Sequence, residues 1–308
     1  MKYCNLGETR SSAIVAGCMR IAGKTLRETE KMLVEALRSG VNTFDIADVY
    51  GGGDCERIFG VAMKDLELPR KDYVLQTKCG IRKDGERKVI RFDFSRDYII
   101  AAAENSLKRL NTEYIDVLLL HRPDTLMEAE EVAEAFAKLR EEGKVRAFGV
   151  SNFSAGQMQI LKQAGVDIVA NQMQFSLLHT PMIDAGLNVN MYEDTSVSRA
   201  GDTLEYCRVH KIGLQAWSPL QYGFFQGVFV GNERFPTVNN ALSRLAEKYN
   251  CSPATIAIAW ILRHPAFEQV VTGTTSPEHM KEMCEAADIE LTKEEWYELY
   301  LSPGRMLP

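Results

Sequence analysis

At 308 residues the chain is longer than most single domains and suits one barrel of alternating strands and helices. Its 36 basic and 42 acidic residues leave a net charge of −6 with no basic block, which argues against nucleic acid as a partner. The apolar stretch 13–19 is too short for a membrane span and lacks a signal-peptide layout. Seven singly scattered cysteines suit reduced thiols, so a cytoplasmic protein with no membrane partner is expected.

In chain order, the opening "KYCNLGETR" predicts a small hairpin across a barrel bottom. Short apolar runs then recur: "AIVAGCM" (13–19), "VNTFDI" (41–46), "YVLQTK" (73–78) and "IDVLLLH" (115–121). They continue with "RAFGVS" (146–151), "DIVANQMQ" (167–174), "IGLQAWS" (212–218) and "QVVTG" (269–273). Several are apolar nearly throughout, as parallel strands are when both faces are covered.

Amphipathic segments lie between them. Residues 25–40 place Leu26, Leu33, Val34 and Leu37 on one face, with Gly40 as a stop. The segment after 95 takes Ser95 as N-cap, and 252–264 takes Ser252 as cap with Pro253 in the first turn. The acidic-to-basic run ending at Gly143 suits a helix dipole. Eight such units without a compositional break predict one α/β domain over 1–308. Its form is a (β/α)8 TIM barrel with an N-terminal β-hairpin and long loops at the C-terminal face. No Gly-rich dinucleotide fingerprint follows the first strand, which counts against a Rossmann fold. The longest irregular stretches, 178–198 and 219–236, both follow strands.

Four polar residues fall at or just past successive strand ends. Asp45 closes the second run, Tyr50 follows it, Lys78 closes the third, and His121 closes the fourth. Alone, each has an ordinary role: a turn cap, a half-buried aromatic, a solvated terminus, a loop hydrogen bond. Together they form a proton donor. A phenol titrates near pH ~10, and an adjacent ammonium is expected to lower that value. The ammonium needs a carboxylate to stay charged, and a histidine can orient a carbonyl oxygen against the phenol. The five histidines show no metal-ligand spacing, and no metal site is expected.

"FDIADVYGGGDCE", "QTKCG", "LLLHRPD", "FGVSNF", "NQMQFS" and "WSPL" occur in this order between 44 and 220. In these motifs the chain resembles the aldo-keto reductase family over essentially its whole length, and most of all its YdhF-like bacterial branch. The resemblance implies an NADP(H)-dependent oxidoreductase reducing aldehydes or ketones. Tyr50 is then the acid, tuned by Lys78 and Asp45, with His121 orienting a small carbonyl substrate. It also implies nicotinamide contacts from Ser151, Asn152 and Gln172, and stacking on Trp217. Ser218 and Leu220 would line the pyrophosphate path, and "QYGFFQG" would cover it. Gly273, Thr274, Thr275, Ser276 and His279 would meet the adenosine end. Many members carry basic residues where Gly273 and His279 stand, so the hold on a 2′-phosphate is expected to be modest. Ile46 replaces the usual threonine after the aspartate, with little effect expected if Asp45 points inward. Glu56 and Gly60 are expected to start and pack the next helix.

Specificity is expected from 19–24, 82–93, 122–127, 178–198 and 219–236. Met19, Phe224 and Phe225 hint at an apolar pocket. Cys55 and Cys79 adjoin the proposed site, where redox sensing is conceivable. Two other classes fit parts of the pattern. A Schiff-base aldolase would use Lys78 neutral and free of Asp45. A nucleotide-binding, redox-sensing regulatory subunit would keep the barrel with little turnover.

Overall fold

Each apolar run forms a strand, and the chain returns over the outside of the strands largely as helix. The computed structural model describes residues 1–84, 89–192 and 194–308. The chain opens with an antiparallel hairpin, β1 (Tyr3–Leu6) and β2 (Thr9–Ser12). The barrel then takes β3 (Ile14–Gly17), β4 (Thr43–Asp45) and β5 (Val74–Cys79). A second hairpin follows, β6 (Ile81–Asp84) with β7 (Val89–Phe92). The barrel resumes with β8 (Ile115–Leu120), β9 (Val145–Ser151), β10 (Ala170–Gln174), β11 (Gly213–Trp217) and β12 (Phe267–Thr272). These strands form a closed barrel in which β12 pairs in parallel with β3.

The helices packed outside are α1 (Leu26–Arg38), α2 (Asp54–Asp65), α3 (Arg96–Leu110), α4 (Ala129–Glu141) and α5 (Ala155–Gln163). They continue with α6 (Pro181–Leu187), α7 (Thr203–His210), α8 (Pro236–Tyr249), α9 (Pro253–Arg263), α10 (Pro277–Glu285) and α11 (Lys293–Leu301). No helix among the described residues is long and apolar enough to cross a membrane.

Local chemistry explains most boundaries. Thr25 closes a capping box with Glu28 at the start of α1, and Ser252 caps α9 ahead of Pro253. Ser95 stands at the N-cap of α3 but does not cap it. Its hydroxyl donates instead to Asp93 at 2.7 Å, and its oxygen accepts from no helix N–H. Between α2 and α3, a Cβ on Gly60 would come within 2.7 Å of the Leu110 backbone, so the helices meet there only because the residue is glycine.

The first hairpin plugs the barrel bottom. Leu6 is fully buried with Val117, Leu119, Ala147, Val169 and Ala170. The sixth strand begins at Ala170 rather than at 167, and Val169 just before it packs in the same cluster. Removing the Leu6 side chain to Ala would cost about 2–5 kcal/mol. Outside the barrel, Trp260 and Trp296 stack at 5.1 Å, and each indole N–H donates to the other's carbonyl. They are packing residues.

Two expected loops carry structure. The stretch 178–198 contains α6, begun by Pro181 with the Thr180 hydroxyl on Asp184. The stretch 82–93 lies largely in the second hairpin. Residues 85–88 and Glu193, which fall within those two stretches, lie outside the described residues.

Candidate active site at the barrel mouth

Parallel strands that all end on one face bring their last residues together, and here they frame a cleft of about 1220 Å³. That volume exceeds the usual range for one small ligand, so it accommodates a cofactor and a substrate together. Asp45 at the end of β4 and Lys78 in β5 are buried, the lysine completely. Lys78 Nζ lies 2.5 Å from Asp45 Oδ1, 2.9 Å from the Ile46 carbonyl and 3.4 Å from the Tyr50 hydroxyl. These three contacts use its three donors. The Ile46 side chain is buried in the core, and only its backbone serves the site. Tyr50 packs edge-on against His121, ring centroids 5.6 Å apart.

Burial opposes the charge on Lys78, but Asp45 and Tyr50 outweigh it and the net shift is upward. A charged, triply bonded amine is no nucleophile, which counts against the aldolase alternative. Tyr50 departs from expectation. Burial raises its pKa, and the opposing pull of Lys78 across 3.4 Å does not reverse that. His121 is held well below 6.5 by burial, Lys78 and Arg122, so it is neutral at pH 7. Its Nδ1 is enclosed without a partner among the described residues. An enclosed lone pair costs less than an orphaned N–H, which puts the ring proton on Nε2.

Beneath the mouth lies a layer that the sequence reading missed. Asp45 Oδ2 accepts from Gln76 at 2.5 Å and from Gln172 at 2.9 Å. Both amides also donate to Gln215 Oε1, each at 3.0 Å. Gln215 donates to Gln76 and to Gln269, and Gln269 donates to the Ser12 carbonyl. All four glutamines are buried. Polar side chains facing inward from alternate strand positions were the available signal.

Ser151, Asn152, Gln172 and Trp217 form a connected patch. Ser151 donates to the Gln172 carbonyl and accepts from Asn152 Nδ2, while Trp217 Nε1 donates to Asn152 Oδ1. The second Asn152 Nδ2 proton and Gln172 Oε1 remain for a ligand, one donor beside one acceptor, which is what a carboxamide requires. Ser218, Leu220, Gly273, Thr274 and His279 also line the cleft; Thr275 and Ser276 do not. The Ser276 hydroxyl caps α10, accepting from the His279 N–H, and donates to Glu278. Beside Gly273, Arg20 Nη1 donates to the Gly273 carbonyl at 2.8 Å, and Arg20 lines the cleft. The loop after β11 folds back through Tyr222 and Gly227, presenting Phe224 and Phe225 to the cleft.

Glu56 is fully buried between Thr77, at 2.7 Å, and Arg109, at 2.6 Å. Cys55 and Cys79 are buried, and burial pushes both thiols up, opposite to a reactive thiolate.

The aldo/keto reductase family model matches residues 13–300. The chain is 33% identical to oxidoreductase YdhF of Escherichia coli (strain K12), over 94% of this chain and 92% of that protein. It is 34% identical to a 6-dehydroglucose reductase of Agrobacterium fabrum, over 94% of this chain and 93% of that protein. Its fold matches the crystal structure of an aldo-keto reductase from Klebsiella pneumoniae in complex with NADPH. The TM-score is 0.74 at 26% identity, over 95% of this chain and 91% of that one.

Proposed function

The chain belongs to the aldo/keto reductase family, and from that premise we propose that it reduces aldehydes or ketones to alcohols with NADPH. The observation that carries this reading is the convergence of Tyr50, Lys78, Asp45 and His121 beside the Asn152–Gln172 patch in one cleft. The nicotinamide, when bound, supplies the hydride. Asn152 and Gln172 hold the carboxamide. His121, neutral with its proton on Nε2, donates to the substrate carbonyl oxygen and fixes its position.

Tyr50 gives its hydroxyl proton to that oxygen as negative charge develops there. A raised phenol pKa does not forbid this, because an alkoxide is a far stronger base than a phenolate. The Lys78 ammonium stabilises the phenolate that remains, and Asp45 keeps Lys78 charged. NADPH oxidation by the purified protein against a panel of aldehydes, ketones and dicarbonyls tests the reading. Turnover of at least one class is expected; tight nucleotide binding with no turnover on any would favour the regulatory alternative.

A further inference from the structure

Arg122 follows His121 at the end of β8 and lines the same cleft as Tyr50. Its guanidinium carbon lies 5.5 Å from the Trp217 ring centroid and 5.7 Å from that of Phe224. Other half-buried arginines are tied to acceptors: Arg70 to Asp116, Arg109 to Glu56, Arg305 to Asp184. Among the described residues, no carboxylate and no hydrogen-bond acceptor meets the Arg122 guanidinium. The nearby Asp124 is committed to the Phe94 and Leu126 backbone N–H groups.

The cleft carries little negative charge to compensate. Of its lining carboxylates, Asp45 is locked on Lys78, and Glu282 belongs to α10 beside His279 at the far end. Lys83 on β6 and Arg20 add further cations to the wall. A partly desolvated guanidinium without an acceptor is costly, and its planar fork matches a carboxylate. Burial draws the Arg122 pKa down and Tyr50 opposes it, which places the group in a low-dielectric wall near the reacting centre.

We propose that Arg122 selects carbonyl substrates that carry a carboxylate, so that the preferred substrates are short or aromatic oxo acids. The inference rests on the carbonyl-reductase reading. Because Arg122 and His121 are adjacent, few atoms separate the carboxylate from the reacting C=O. Phe224, which lines the cleft beside Arg122, offers an apolar wall to the carbon skeleton between them.

The test uses para-carboxybenzaldehyde and its methyl ester as substrates, and benzoate and benzamide as binding probes for the nucleotide-free protein. For the wild type, kcat/KM should favour the acid over the ester by roughly 10- to 100-fold, mainly through KM. Calorimetry should show benzoate binding more tightly than benzamide. Arg122→Met should bring both ratios close to one, and Arg122→Lys should retain part of each. Equal handling of acid and ester by the wild type overturns the assignment, as does selectivity that survives in Arg122→Met. Benzoate selectivity that depends on Arg122, with neither aldehyde reduced, would instead sink the reductase reading and leave the anion site standing.

Discussion

Gln76 Nε2 sits 2.5 Å from Asp45 Oδ2 and donates its other proton to Gln215, so the carboxylate that charges Lys78 is itself held from below. Gln172 bonds the same oxygen at 2.9 Å, and the two amides together fix where the carboxylate points. Gln76→Met removes one donor and strands part of Gln215 in the barrel. Asp45 is then free to turn away from Lys78, and with the ion pair lengthened, burial draws the lysine pKa down, so the ammonium is lost at lower pH. The alkaline limb of the kcat profile should move to lower pH, with kcat down by about 10-fold, less than the roughly 10²–10⁴-fold cost of losing the acid itself. An unmoved limb with a lower melting temperature would reduce the glutamine layer to packing.

Tyr50→Phe removes the proton donor but no group proposed to touch the nucleotide. Carbonyl reduction should fall by roughly 10²–10⁴-fold while NADPH affinity stays within a few-fold. A variant with near-normal kcat on a good substrate would rule out the assignment.

The convergence of Asp45, Tyr50, Lys78 and His121 was legible because each lies at or just past a strand end, where barrel topology brings residues together. The barrel was legible because eight apolar runs alternated with helical periods. Gln76, Gln215 and Gln269 were not, since a glutamine inside a strand looks like an exposed position until closure turns it inward. Arg20 and Arg122 escaped for another reason. They lie just beyond strand ends, where one residue's direction depends on loop geometry, and only the segments 19–24 and 122–127 could be marked. The pKa of Tyr50 went the other way from expectation because burial depth is invisible in sequence.

Lys78 and Asp45 should not behave as independent sites. Lys78→Met abolishes activity and also leaves a buried carboxylate unpaired, a loss of about 3–5 kcal/mol. The pair Lys78→Met with Asp45→Asn should recover much of that stability without recovering activity. Melting temperature and kcat measured on all the variants check both halves. Recovery of activity in the double variant would refute the role given to the ammonium.

Asp48 makes the fold pH-dependent. Its Oδ1 is enclosed without a partner among the described residues, and burial, helped by Glu56, raises its pKa from 3.8 to about 7. A carboxyl raised on folding binds its proton more tightly in the native state. Stability from this group is therefore full below pH 3.8, falls as pH rises towards 7, and is flat above that. Asp48→Asn should gain on the order of 1–3 kcal/mol over wild type at pH 8 and almost nothing at pH 4. A gain equal at both pH values would point to packing instead of charge.

The cofactor preference is tested where the chain is least typical of its family. Among the adenosine-end residues first expected, Thr275 and Ser276 do not line the cleft, and the Ser276 hydroxyl is spent on the α10 cap. Arg20 and His279 are the basic side chains at this end of the cleft, and Arg20 is already oriented by the Gly273 carbonyl. One guanidinium with only an imidazole beside it is expected to favour NADPH over NADH by about 1–2 kcal/mol, the worth of a single charge-assisted hydrogen bond. Titration of Trp217 fluorescence with each nucleotide measures the gap, and Trp217→Leu should remove most of the signal. Arg20→Met should close the gap chiefly by weakening NADPH, and its salt dependence should fall with it. His279→Arg should widen the gap. Equal affinities for the two nucleotides at low salt in the wild type would show that this end of the cleft does not read the phosphate. Hydride chemistry at Tyr50 would survive that result, whereas the preference for NADPH would not.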